Sequence, residues 1–108
     1  MTDQSDWKTI ELFGAGAIDR VCAIYEISDL RVPGTKFKVK VLERSIGDFI
    51  AVPNVYLRLA DGTPDYISGI AKTQIEALRD LLKRFMPSLS RVTTDDSEQF
   101  EWADPHDF

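Results

Sequence analysis

The sequence predicts an α+β fold: a single small domain in which an antiparallel β-meander of about four to five strands packs on one C-terminal amphipathic α-helix. Two features predict it, namely short alternating apolar segments separated by tight turns and one amphipathic helical segment after them; an acidic tail follows this domain. Strands joined by tight turns pair antiparallel, because parallel pairing needs crossovers of about a dozen or more residues. A single short helix is marginal alone, so its apolar side is expected to cover the sheet.

The composition is that of one ordinary globular domain. At 108 residues the chain can build a modest core without metal or disulfide, and its 44% hydrophobic and 29% charged content is typical of soluble proteins. No apolar run approaches the roughly 18 residues that a membrane helix needs, so no membrane association is expected. The polar start of the chain and its single cysteine predict a cytoplasmic location.

Apolar alternation predicts five strands ahead of the helix. The second segment is β-branched and aromatic with a partly apolar opposite face, which predicts a central strand. In the third, Phe37, Val39 and Val41 alternate with three lysines, so one face is expected to be core and the other solvated. Pro53 in the fourth cannot donate to a ladder, which predicts a bulge or an edge there. The expected strands span about residues 8–13, 20–28, 35–44, 49–59 and 65–70.

A helix over about residues 74–86 is the most strongly indicated element. Thr73 and Glu76 form a capping box, in which each side chain can bond the backbone amide of the other residue. Pro87 ends the helix, because it has no amide hydrogen and disfavours helical geometry before it. Apolar residues recur at spacings of three and four and define the side expected to face the core: Ile75, Leu78, Leu81, Leu82 and Phe85.

Residues suited to catalysis are few and far apart, so we expect no enzymatic activity, cofactor or metal site. Cys22 lies in an apolar run, which is typical of a buried and unreactive thiol. The single histidine, His106, lies in the acidic tail, far from that cysteine in sequence. Asp104, His106 and Asp107 could hold a divalent ion only loosely, because so short a segment has no supporting groups around it.

The tail, residues 93–108, carries most of the negative charge. It holds six acidic residues and no Lys or Arg, so its charge is −6, against −5 for the whole chain. Acidic residues interleaved with aromatic ones are typical of segments that dock on other proteins. This pattern predicts a non-enzymatic protein-interaction or regulatory module that engages a basic partner, although the same segment could instead be an additional strand. The expected partner-binding residues are Phe100, Glu101, Trp102, Asp104 and Phe108.

A row of lysines supports an alternative function. Lys36, Lys38 and Lys40 point the same way about 7 Å apart along the third predicted strand, and Arg58 can extend their surface. Such a row could bind nucleic-acid phosphates, or it could be a solvated face or an edge strand protected by lysine. The acidic tail is a suitable internal partner, so the alternative is a nucleic-acid-binding domain whose lysine face is masked by the tail. The oligomeric state is left open.

Overall fold

The computed structural model describes residues 6–92 and 97–108 and confirms the predicted α+β class. An antiparallel sheet of four strands and a second sheet of two strands accompany one α-helix in these residues. The strands are β1 (Asp19–Ser28), β2 (Lys36–Arg44), β3 (Phe49–Pro53), β4 (Val55–Leu57), β5 (Gly69–Ala71) and β6 (Phe100–Trp102), and the helix is α1 (Gln74–Phe85). Short 3₁₀ helices span Asp6–Thr9, Pro33–Thr35, Met86–Arg91, Ser97–Gln99 and Pro105–Asp107.

The four-stranded sheet has the order β1-β2-β3-β5, with every pair antiparallel. The predicted central position of the second segment is wrong, since β1 lies at an edge. Its two apolar faces have another cause: Tyr25 and Ile27 pack against the core, whereas Val21 and Ile24 are exposed on the opposite side of the sheet. Strand β1 is thus apolar on both faces because one face of the sheet is left uncovered. This character does not require a neighbouring strand on each side of β1.

The strand predicted over residues 49–59 is two strands in two sheets. Pro53 ends β3, and Asn54 then binds β2 twice: its amide donates to the Lys38 carbonyl oxygen (2.9 Å), and its side-chain oxygen accepts from the Lys38 amide (2.8 Å). This contact turns the chain out of the first sheet into β4, which pairs with β6 instead. The irregularity expected at the proline is therefore a break between two strands.

Two other predicted strands differ from the structure. Residues 8–13 form no strand: the 3₁₀ helix Asp6–Thr9 is fixed by an ion pair from Lys8 to Glu43 (2.7 Å), and the chain then turns away at Phe13, where φ is +49°. The strand predicted over residues 65–70 is confined to β5. The Asp65 amide instead donates to the Leu57 carbonyl oxygen of β4 (2.7 Å), so that the chain reaches β3 only at residue 69.

Helix α1 covers one face of the sheet, nearly as predicted. Thr73 caps it by accepting from the Glu76 amide (3.1 Å), and the rings of Phe85 and Phe37 lie 5.0 Å apart across the helix–sheet contact. Its buried side differs from the predicted stripe, because Ile75 is 54% exposed. The core consists of Val32, Phe37, Val39, Val41, Ala51, Val55, Leu57, Ala77, Leu81, Phe85, Leu89 and Phe100.

The predicted boundary between domain and tail falls at residues 92 and 93, and the first residues of the tail lie outside the described ones. From residue 97 onward the chain returns to the body of the protein through β6. Within the described ranges, no helix has the length and apolar character needed to span a membrane.

Candidate protein-binding cleft

Strand β6 brings the acidic, aromatic end of the chain onto the rest of the protein. It pairs antiparallel with β4, placing Phe100 opposite Leu57 and Glu101 opposite Tyr56. Phe100 is only 5% exposed and belongs to the core, so it anchors the segment and is not free to contact a partner. Trp102, two residues on, remains 43% exposed at the margin of the strand pair. The segment is thus an additional strand, one of the two alternatives left open by the sequence.

Beyond β6 the chain closes one side of a cleft of about 380 Å³. Its other wall comes from β2, β3 and β4, on the side of the sheet that α1 does not cover. The rings of Tyr56 and Tyr66 meet edge to face with their centroids 4.8 Å apart. The four aromatic side chains that line the cleft are Tyr56, Tyr66, Trp102 and Phe108.

Charged groups of both signs also line the cleft. The carboxylates are those of Glu101, Asp104 and Asp107, and the one ammonium among the described lining residues is that of Lys40. The Lys40 Nζ donates to the Asp107 carbonyl oxygen (2.9 Å) and lies 4.8 Å from the centre of the Phe108 ring. Three carboxylates against one ammonium leave the cleft with an excess of negative charge.

The end of the chain is held in place by local turn chemistry as well as by Lys40. Asp104 caps the 3₁₀ helix Pro105–Asp107: its side chain accepts from the His106 amide (2.9 Å), and its carbonyl oxygen accepts from the Asp107 amide (2.8 Å). His106 itself is exposed. This turn directs Phe108 back over β2.

The predicted partner-binding residues of the tail contact only some of the residues of the predicted lysine face. Lys40 contacts the last turn of the chain, and Arg58 forms an ion pair with Glu101 (3.4 Å). Lys36 instead pairs with Glu26 of β1 (3.7 Å), and Lys38 is exposed. All three lysines lie on a central strand, so the interpretation of the row as protection of an edge strand is wrong.

Tyr56 is a half-buried polar group of the cleft wall. Burial raises the pKa of its hydroxyl, and the neighbouring Tyr66 adds to the shift. The phenol therefore stays neutral at physiological pH and can both donate and accept a hydrogen bond.

Sequence reasoning placed Tyr66 in no site and considered Asp107 only as a loose ligand of a divalent ion. Tyr66 reaches the cleft because Pro64 and Asp65 fold back on β4, a long-range contact without a local sequence signal. Asp107 differs, because the interleaving of acidic and aromatic residues that singled out its neighbours includes it. Cys22 is half-buried on β1, where its thiol donates to the Arg20 carbonyl oxygen (3.5 Å). Across the described ranges, no three His, Cys, Asp or Glu side chains are grouped to hold a metal ion.

Comparison with known proteins finds no relative: the chain matches no protein-family model, no curated protein and no solved structure.

Proposed function

We propose that this protein is a non-enzymatic protein-interaction module whose cleft binds a basic segment of a partner protein. The observation that carries the proposal is the convergence of four aromatic rings and three carboxylates on one open cleft. A lysine or arginine side chain is the group that such an environment suits, because it gains from both ring faces and negative charge. The single cysteine is a free thiol, which is compatible with a reducing compartment, and we propose a cytoplasmic location for this function.

The position of Lys40 illustrates the chemistry that an incoming cation would use. Its ammonium already lies over the Phe108 ring and bonds a carbonyl oxygen of the same turn. Tyr66 is largely exposed and Trp102 is partly so, which leaves ring surface for a second cation. An exposed cation–π contact is worth about 0.5–1 kcal/mol, so several weak contacts must act together and a transient interaction is expected.

Long-range charge supports the same class of partner. The chain has a net charge of −5, and its cleft carries more carboxylates than ammonium groups. An acidic surface of this kind raises the association rate of a basic partner, and the gain falls as salt is added.

The test is calorimetric titration of an array of Lys- and Arg-containing peptides into matched variants. Asp104→Asn with Asp107→Asn removes two cleft charges, and the asparagine introduced at the cap position can still accept from the His106 amide. Glu11→Gln with Asp19→Asn removes two exposed charges elsewhere. We expect the cleft variant to bind the best peptide about 5- to 30-fold more weakly, at roughly 0.5–1 kcal/mol per charge pair. Equal weakening in both variants would mean that only net charge matters and would refute the cleft.

The alternative is a nucleic-acid-binding domain whose lysine face is masked by the end of the chain. The observation in its favour is that Lys40 and Arg58 are both engaged by residues after position 98, through the Asp107 carbonyl oxygen and the Glu101 carboxylate. Lys38, on the same strand, is exposed beside them. Displacement of the last turn would free Lys40 beside Lys38, whereas Arg58 stays paired with Glu101 of β6.

A short truncation separates this alternative from the main proposal. Removing residues 104–108 frees Lys40 and keeps β6 in place. On the alternative, the shortened protein binds oligonucleotides with a log–log salt slope of about −2 to −3, as expected for two or three phosphate contacts, and the full chain does not bind. Lys38→Gln with Lys40→Gln in the shortened protein should abolish that binding. If the shortened protein has no affinity for oligonucleotides at low salt, the nucleic-acid function is excluded.

A further inference from the structure

The two edge strands of the four-stranded sheet differ in length and in whether their outer backbone groups are hydrogen-bonded. Strand β5 is three residues long, and the Ile70 amide donates to the Asp80 carboxylate of α1 (3.0 Å), so its outer edge is blocked. Strand β1 is ten residues long, and no strand in the described ranges pairs with its outer side. Unpaired backbone groups on a long edge are a template for another strand.

The register identifies the backbone groups that β1 leaves unpaired. Asp29 donates to the Thr35 carbonyl oxygen (2.9 Å) at the hairpin, and hydrogen-bonded positions alternate along an antiparallel pair. Tyr25 and Ile27 therefore bond β2, whereas the amide and carbonyl groups of alternate residues point outward. The outward-pointing residues of the regular part of the strand, which follows the irregularity between residues 21 and 23, are Ile24, Glu26 and Ser28.

Of the usual protections, this part of β1 has only one exposed charged side chain, that of Glu26. Edge strands are commonly guarded by lysine, by proline, by a bulge or by short length. Residues 23–28 contain neither lysine nor proline, and the one bulge of the strand lies before them. The lysines of the sheet lie one strand further in, on β2.

We propose that β1 pairs antiparallel with β1 of a second copy of this chain, joining the two sheets into one of eight strands. A two-fold axis at Tyr25 sets Ile24 opposite Glu26 of the second copy, so that outward amide and carbonyl groups bond each other in both directions. The two Tyr25 residues then face each other, and Ala23 faces Ile27. The same patch serves both copies, which is the requirement of a closed two-fold interface.

Charge repulsion and apolar contact favour this register. They also favour a second copy of this chain as the strand that pairs with β1. An axis at Glu26 would set two carboxylates opposite each other, which is unfavourable. With the axis at Tyr25, the two Ile24 side chains and the two Glu26 side chains both become diagonal neighbours, and a diagonal pair of carboxylates lies further apart than a directly opposite pair. Ile24 is 51% exposed in the single chain, and the second copy supplies the apolar cover that it lacks.

The test compares Glu26→Pro with Glu26→Ala by sedimentation equilibrium of the full chain. Both changes remove the carboxylate and its contact with Lys36 (3.7 Å). Only proline removes the outward amide hydrogen, and no bond to β2 is lost with it. We expect the unchanged protein and Glu26→Ala to show twice the 12.2 kDa chain mass at high concentration, and Glu26→Pro to stay at the mass of one chain.

Hydrogen exchange in the unchanged protein gives a second readout that does not depend on the proline variant folding. The amides of Ile24 and Glu26 should exchange more than about tenfold faster when the protein is diluted below the dimer range, while the Ile70 amide, which is bonded within the chain, keeps its rate. A single-chain mass at about 1 mM, equal dimerisation of both variants, or exchange rates at Ile24 and Glu26 that ignore concentration would each overturn the proposal.

Discussion

At Gly69 the backbone of strand β5 lies directly against the backbone of helix α1. A Cβ atom added there would overlap the Ala77 carbonyl oxygen and the Leu81 amide nitrogen, both of which are helix backbone. Neither group can move without shifting the helix, so the absence of a side chain sets the helix–sheet distance. This contact also explains why Ala77 and Leu81 face the sheet and Ile75 does not.

Gly69→Ala should therefore lower the free energy of unfolding by about 1–3 kcal/mol, the usual cost of overpacking a core, measured by urea denaturation. Gly16→Ala is the matched control, because a Cβ atom there has open space around it and surface changes usually stay within about 0.5 kcal/mol. Equal denaturation midpoints for the two variants would show that the helix is not seated against this residue.

At the scale of elements, the N-terminal 3₁₀ helix Asp6–Thr9 is held to the sheet by one buried carboxylate. Glu43 accepts from Lys8 (2.7 Å) and Arg20 (2.8 Å) on the helix-covered face of β2. The hydrogen bond from Lys8, followed by that from Arg20, holds the pKa of Glu43 below its usual range against the opposing effect of burial. The ionised form of Glu43 thus stabilises the folded state.

The pKa of Glu43 is lower in the folded state than in the unfolded state. The stabilisation by ionised Glu43 is therefore present at pH values above the ordinary glutamate pKa of about 4.3, and it is lost as the pH falls through the folded pKa. Glu43→Gln should cost about 1–3 kcal/mol of unfolding free energy at pH 7, and the difference from the unchanged protein should shrink by pH 3. Urea denaturation at both pH values measures it, with the exposed Glu11→Gln as control. A difference that is the same at both pH values would rule out the charged interaction.

Elements with local signals could be predicted from the sequence, and elements set by distant contacts could not. Thr73, Glu76 and Pro87 delimit α1 within the chain itself, so its bounds were predicted to within one residue. The segment after Lys8 alternates like a strand, but its conformation depends on Glu43, 35 positions away. Pro53 signalled an irregularity, whereas the change of sheet after it depends on pairing with β6.

At the scale of the whole molecule, the fold is elongated. Its extents are 54 × 28 × 20 Å and its radius of gyration is 15.9 Å, against about 13 Å for a compact domain of this length. One helix covers one face of the sheet, and the β4–β6 pair with the last turn lies beside part of the other. Among the residues that the structure describes, none forms a strand along the long edge of β1, and much sheet surface is uncovered.

For the candidate cleft, only the attraction between two oppositely charged parts of the chain could be predicted from the sequence. The acidic, aromatic end of the chain and the lysine row are both visible in the sequence, and their attraction follows from their signs. Which lysine is engaged depends on the β4–β6 register, which carries the last turn to Lys40 and leaves Lys38 exposed. Tyr66 joins the site because Pro64 and Asp65 fold back on β4, and no local sequence pattern predicts that contact.

The carboxylate of Asp80 sets a limit on how far the proposed strand pairing can extend. A sheet with two open ends can add copy after copy and grow into a filament. In this sheet one end is occupied by a side chain of its own helix, at the Ile70 amide, so a copy that joins through β1 brings a closed end with it. Growth therefore terminates at two chains, and even concentrated protein is expected to remain as discrete particles.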